Sequence, residues 1–315
     1  MKKIAFLFSG QGAQYVGMGK ELFDNYSSCR KIFKKAKDAL DMDIEEICFE
    51  GNTEKLNKTE NTQPAILTTS IATLSILQER GIVPAVTAGL SLGEYSSLVC
   101  SRVLDFVSAV QLMRKRGQYM QEAVPLGKGK MTAILGLSDE AVENICEKAR
   151  SAGIVEPANY NYPGQVVIGG EMEAVDLAAV YAKEEGAKRV IPLQVSAPFH
   201  ISMLQPAAVR LAEELEKIDV YDLQIPVISN VIGDYIEGKN LVKELLKKQV
   251  MFPILWSKCI YKMIHGGVDI FIEIGPGKVL SGFLKKIDKN LLVCNVEDIQ
   301  SLNNTIKILE QNHVY

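Results

Sequence analysis

The chain carries three histidines, one tryptophan and six cysteines in 315 residues, and these scarcities already narrow its chemistry. The cysteines, at 29, 48, 100, 146, 259 and 294, are far apart and contain no CxxC pair. That spacing argues against a zinc ribbon or a disulfide framework and fits reduced thiols in the cytoplasm. No basic surplus exists, the formal net charge being -3, so a nucleic-acid or other polyanion binder is disfavoured. No apolar run reaches membrane-spanning length. The opening residues, Met1 to Phe8, begin like a secretion signal, but the run stops at Ser9-Gly10 and reads better as a first strand. No GxxxxGK[ST] phosphate loop occurs. Gly10-Gln11-Gly12 is not a dinucleotide fingerprint, since its third glycine would fall on Tyr15. The acidic run Asp41, Asp43, Glu45, Glu46 lacks calcium-loop spacing and reads as a solvated helix face, so no metal site is expected.

What is present is hydrophobic enough, at 47%, for a sizeable core. Strand-like runs alternate with helical ones, which predicts an α/β fold with a mostly parallel sheet covered on both faces. The linker Val124 to Gly129 marks a change of pattern. Beyond it we read strands at 131–136, 154–159, 165–169 and 188–194, helices at 139–151 and 172–185, and a turn at Asn161 to Gly164. That order, βαββαβ, is the ferredoxin-like one. The expected organisation is a discontinuous large domain, 1–126 and 196–315, interrupted by a small domain at 127–195. In the large domain, helices are expected over 105–121 and 203–217, strands over 225–230 and 268–274, and a last helix carrying Lys285 and Lys286 after Gly275-Pro276-Gly277.

The stretch with most chemical content is Gly89-Leu90-Ser91-Leu92-Gly93, set between an apolar run (82–87) and a helix. Gly-x-Ser-x-Gly in a strand-turn-helix setting is the nucleophile-elbow pattern, which lifts a serine hydroxyl above the sheet next to free helix N–H groups. A glycine-flanked turn with a capping serine is the bland alternative. A serine hydroxyl needs a base, and only three imidazoles are on offer. His265 sits at a helix end and His313 is third from the end of the chain. His200 follows a strand in Ala197-Pro198-Phe199-His200, at the junction of the two expected domains, and is the favoured base. Arg114 and Arg116 border the apolar stripe of the 105–121 helix, and periodicity does not choose between them.

Taken together, these stretches resemble the malonyl-CoA:acyl carrier protein transacylases and related acyltransferase domains of fatty acid and polyketide synthases. The resemblance covers essentially the whole chain. It rests on Gly10-Gln11-Gly12-Ala13-Gln14, Gln63-Pro64-Ala65, Gly89 to Tyr95, Met113 to Gln121, Ala158-Asn159 with Pro163 to Gly170, Pro198-Phe199-His200, Gln249 before Pro253 and Trp256, and Glu273 to Gly277. It implies an α/β-hydrolase-like core with a ferredoxin-like insert. It implies Ser91 as nucleophile, His200 as base, and the amides of Gln11 and Leu92 as oxyanion hole. Arg116, rather than Arg114, would face the malonyl carboxylate. The main-chain carbonyl of Gln249 would orient the imidazole, and Asn159 would position the His200 loop or the substrate. The implied partners are malonyl-CoA and acyl carrier protein, acting on a cytoplasmic monomer without bound cofactor, metal, nucleic acid or membrane. Two positions depart from the family: Leu90 where histidine is common, and Ser9 where proline is common, the latter expected to cost some rigidity. A serine esterase or thioesterase, an acyltransferase of a specialised polyketide-type pathway and a silent carrier-binding module are the alternatives.

Overall fold

The computed structural model describes residues 2–125, 127–195 and 197–314. Two strands open the principal sheet, β1 (Lys3–Phe8) and β2 (Val86–Gly89). The small sheet follows, with β3 (Gly129–Leu135), β4 (Val155–Tyr162), β5 (Gln165–Glu171) and β6 (Arg189–Pro192). A short hairpin pairs β7 (Ile228–Ser229) with β8 (Asp234–Tyr235), and β9 (Val268–Ile274) and β10 (Leu292–Val296) complete the principal sheet.

The principal sheet is wholly parallel, in the order β10-β9-β1-β2. Its strands are near-continuous apolar runs because both faces are covered. Along β1, Ile4, Phe6 and Phe8 enter one core while Ala5 and Leu7 enter another, all at 5% exposure or less. The first core is filled by the long helix Thr59–Glu79 and by helices Phe106–Glu122, Gln205–Leu215 and Val242–Met251. Helices Trp256–His265 and Val279–Ile287 close the second. Registers Phe8 with Gly89 and Phe8 with Ile274 bring three strands to an end at one level. Loops 9–14, 90–92 and 275–277 therefore emerge together, where open α/β sheets hold ligands.

The small sheet is antiparallel throughout, in the order β4-β5-β3-β6. Helices Asp139–Ala149 and Met172–Glu184 cover one face around a core of their own, including Ile134, Val142, Ile168 and Val175. Met131, Ala133, Ala158 and Val167, on the other face, join the large core. The boundary residues expected at 126 and 196 lie outside the described residues. Asn161 and Tyr162 belong to β4, so the expected turn is confined to Pro163-Gly164. The strand expected over 225–230 shortens to β7, with Val227 making a single parallel bridge to Thr87. The helix holding Lys285 and Lys286 is not the last element: β10 and helix Ile299–Gln311 follow it. All six cysteines are buried and unpaired.

The elbow is held by two close approaches. A Cβ on Gly89 would fall 2.0 Å from the Gly93 carbonyl carbon, and one on Gly93 would fall 2.2 Å from the Phe8 carbonyl oxygen. Neither neighbour is a flexible side chain, so Gly93→Ala must push helix Gly93–Cys100 away from β1. We expect it to lower stability by about 1–3 kcal/mol, the usual range for overpacking. The check is the midpoint of urea unfolding at unchanged slope; an unmoved midpoint would contradict the close packing.

Candidate active site

Ser91 adopts a left-handed backbone, φ 53°, between β2 and helix Gly93–Cys100. Such a conformation is unfavourable for a residue with a side chain and persists only where its surroundings impose it. Here Asn230 imposes it: its Oδ1 accepts from the Ser91 amide at 2.7 Å and its Nδ2 donates to the Gly89 carbonyl at 2.8 Å. His200 is left-handed too, φ 62°, and 4% exposed. Its loop is tied to the small sheet, since the Phe199 amide contacts the Met131 sulfur and Ser202 donates twice to the Glu156 carboxylate. The end of the principal sheet thus presents Ser91 and the small sheet steadies the His200 loop, and the two meet with 2.7 Å between Ser91 Oγ and His200 Nε2.

The opposite ring nitrogen, Nδ1, lies 2.7 Å from the main-chain oxygen of Gln249. The sequence explains why that carbonyl is available. Its helical donor would be the amide of residue 253, four positions on, which is proline and has no N–H. An imidazole donating from Nδ1 to a carbonyl presents Nε2 with a lone pair, so it can take a proton from the serine hydroxyl. His265 and His313 are elsewhere, His265 stacking on Tyr261 at the end of helix Trp256–His265.

Arg116 is 1% exposed on helix Phe106–Glu122. Its Nη2 donates to Ser91 Oγ at 3.2 Å and to Gln249 Oε1 at 2.9 Å, and its Nη1 donates to Gln63 Oε1 at 2.8 Å. The guanidinium lies over the Tyr95 ring, 5.4 Å from its centroid. Among the described residues no carboxylate reaches ion-pair distance of it, and its Nε has no partner. A buried cation held by neutral dipoles is suited to receive an anion. Arg114 instead turns to Glu60 and Asn61.

Ser91 and His200 open into a cleft of about 310 Å³ that Gln11, Leu90, Asn159, Phe199 and Met131 also line. Neither the Gln11 nor the Leu92 amide has an acceptor among the described residues, so both remain free to donate. The Asn159 side chain borders the cleft from β4. Leu90 is half-buried against the second core, and Ser9 donates to the Pro276 carbonyl at 3.0 Å. That bond ties the loop after β1 to the loop after β9, where only a loss of rigidity was expected. A larger groove of about 660 Å³, bordered by Lys3, Val86 and Val268, lies at the opposite strand ends and holds none of these side chains. Lys285 is occupied by the carbonyls of Lys289 and Leu291. Gln63, Glu94 and Asn230 are contributors that residue patterns alone did not single out. No group of three or more potential metal ligands occurs among the described residues, and no helix there is long and apolar enough to cross a membrane.

A strained serine and a paired imidazole in a cleft, with a buried arginine beside them, form an arrangement suited to acyl chemistry. The acyl transferase domain family matches residues 5–307, and the chain belongs to that family. The malonyl CoA-acyl carrier protein transacylase of Bacillus subtilis (strain 168) is 48% identical over 314 residues, 99% of each chain. The crystal structure of the malonyl CoA-acyl carrier protein transacylase from Clostridium perfringens ATCC 13124 superposes with a TM-score of 0.97. It is 52% identical, covering 99% of this chain and 98% of that one. A solved complex of a type II PKS acyl-carrier protein with its malonyl-transacylase is 41% identical, with a TM-score of 0.94 and coverage of 97% and 99%.

Electrostatics around the pair set a pH dependence. Burial, and then repulsion by Arg116, push the His200 pKa down to about 3, against the Gln249 carbonyl, which favours the cation. An unfolded chain protonates this imidazole near its ordinary value of 6.5. Between those values the unfolded state holds a proton that the folded state lacks, so this residue's contribution to stability is lost as pH falls. The loss is at most about 1.4 kcal/mol per pH unit. Burial pushes the Glu94 carboxyl up to about 7, which acts in the opposite sense between its ordinary value of 4.5 and 7. His200→Gln removes the first effect alone. Thermal denaturation should show its Tm falling less than that of wild type from pH 6.5 to 4.5; an equal or steeper fall would show that His200 is not held unprotonated.

Proposed function

We propose that this chain transfers a malonyl group from malonyl-CoA to the phosphopantetheine thiol of acyl carrier protein through a malonyl ester on Ser91. In the first half-reaction His200 Nε2 takes the Ser91 proton as Oγ attacks the thioester carbonyl carbon. The Gln11 and Leu92 amides donate to the oxyanion, each such donor being worth about 2.7–4 kcal/mol. Collapse of the tetrahedral intermediate breaks the C–S bond, and the imidazolium returns its proton to the departing coenzyme A thiolate. The carrier's thiol then repeats these steps in reverse, giving up its proton to His200 and leaving Ser91 free. The two thioesters are close in energy, so the cycle runs both ways.

The observation that carries this reading is the buried Arg116 guanidinium, without a carboxylate partner and 3.2 Å from the Ser91 hydroxyl. A malonyl carboxylate supplies the missing anion, through charge-assisted hydrogen bonds worth about 1.5–3 kcal/mol each. It also cancels part of the repulsion that holds His200 unprotonated, so the base strengthens when the correct acyl group is bound. Asn159, bordering the same cleft as Ser91, is the residue we assign to substrate placement. The named relatives are transacylases, which favours a thiol acceptor over the water of an esterase or thioesterase, and supply of extender units for fatty acid biosynthesis as the role.

On the same basis we propose the finer architecture. The parallel sheet with its elbow supports an α/β-hydrolase-like core, and the β4-β5-β3-β6 order supports a ferredoxin-like subdomain over 127–195 within a large domain of 1–126 and 196–315.

Incubation with malonyl-CoA should give a malonyl adduct by intact-protein mass spectrometry in wild type and none in Ser91→Ala; an adduct surviving in that variant would falsify the nucleophile. Arg116→Ala should reduce malonyl transfer by about 10- to 100-fold while sparing or raising acetyl transfer. Steady-state assays with both thioesters decide this, and equal losses would refute a carboxylate-binding role.

A further inference from the structure

One fully buried member of the site touches none of the reacting atoms. Glu94, in the first turn of helix Gly93–Cys100, is 0% exposed. Its Oε2 accepts from Gln249 Nε2 at 2.7 Å and from the Asn230 amide at 3.0 Å, while Oε1 has no partner. Burying a carboxyl this deeply is unfavourable, and a surface position in the same turn would serve the helix dipole as well.

We propose that Glu94 is a positioning residue for the whole reaction centre, fixing through Gln249 and Asn230 the His200 ring, the Arg116 guanidinium and the strained Ser91 peptide together. The inference rests on the acyl-transfer reading above and adds to it the group on which selectivity and nucleophile geometry both depend.

Gln249 is the first route. A side-chain amide can turn over, exchanging its oxygen and its NH2. Next to Arg116 only the oxygen is acceptable, because an NH2 would set donor against donor. Glu94 decides the matter, since Oε2 accepts the amide Nε2 and leaves Oε1 for Arg116 Nη2 at 2.9 Å. The same Nε2 also donates to the Ser91 carbonyl at 3.0 Å. A side chain anchored at three points holds its own backbone, and that backbone's carbonyl orients His200. Asn230 is the second route. Glu94 fixes its amide, and its side chain clamps Ser91 N–H and the Gly89 carbonyl from both sides of the elbow. The groups that Glu94 reaches through these two neighbours are therefore an arginine, a histidine and a serine that must keep sub-ångström registry.

Three substitutions and one spectroscopic signature test this. In 15N-histidine-labelled protein, the His200 Nδ1–H resonance is assigned by its absence from His200→Ala. Glu94→Leu, which has no acceptor, should lose or broaden that resonance. It should also lower kcat for malonyl transfer by about 10- to 100-fold and malonyl-over-acetyl discrimination by about tenfold or more. Glu94→Gln keeps an acceptor oxygen and should retain the resonance, with kcat within about threefold of wild type. Should Glu94→Leu fail to fold, Glu94→Asp withdraws the carboxylate by one methylene and should show the same losses in weaker form. A folded Glu94→Leu or Glu94→Asp protein with the wild-type resonance and malonyl preference would overturn the proposal, as would Glu94→Gln as impaired as Glu94→Leu. The resonance needs no substrate, so it judges Glu94 even if wild type fails to transfer malonyl, an outcome that would refute the transfer reading instead.

Discussion

The constraint on which this site depends is a guanidinium buried without a counter-ion beside it. Water cannot solvate Arg116, so protein dipoles must, and each has to be brought from a different part of the chain. Gln63 comes from helix Thr59–Glu79, Gln249 from the end of helix Val242–Met251, and the Tyr95 ring from the elbow helix. That requirement explains polar side chains such as Gln63 and Gln249, at 1% and 0% exposure, in an otherwise apolar core. Neutral dipoles hold the cation in place, with the Glu94 carboxyl acting on it only from behind Gln249, which leaves a guanidinium able to attract an acyl group bearing a carboxylate.

The elbow was legible because its constraint is local. Two glycines two residues from a serine, after a strand, describe one turn, and the turn needs no distant partner to be recognised. His200 was reached by elimination among three imidazoles, and Pro253 leaves the Gln249 carbonyl bare in a way the sequence could have announced by itself. Gln63, Glu94 and Asn230 were not legible as site residues, because their work lies in contacts spanning 53 to 155 positions. A buried glutamate on a helix has the same local signature as a solvated one. The resemblance to acyltransferases chose between Arg114 and Arg116; helical periodicity put them at the two borders of one stripe, and only their partners along helix Thr59–Glu79, Glu60 for one and Gln63 for the other, separate them.

The fold was read best where strands are long and buried. β9 has the expected limits, while β7 keeps two residues of an expected six because its neighbours bond β2 only once. The missed β10 is an edge strand of five residues, only partly covered, whose apolar run is too short to stand out from the helix before it. Its pairing with β9 extends a sheet already nucleated by longer strands.

The burial of all six cysteines has a meaning specific to this chemistry. Each turnover brings one thiol in on a carrier and releases another from coenzyme A, in a cleft lined without a sulfhydryl of its own. Burial also pushes the protein's thiols up, Cys29, Cys48, Cys100 and Cys146 to about 12, so almost none is thiolate near neutrality. Mixed-disulfide exchange with oxidised coenzyme A or an oxidised carrier therefore finds neither an exposed partner nor a reactive one. On the proposed mechanism acyl groups pass from sulfur to sulfur by way of oxygen, and the protein's own sulfur stays out of the exchange.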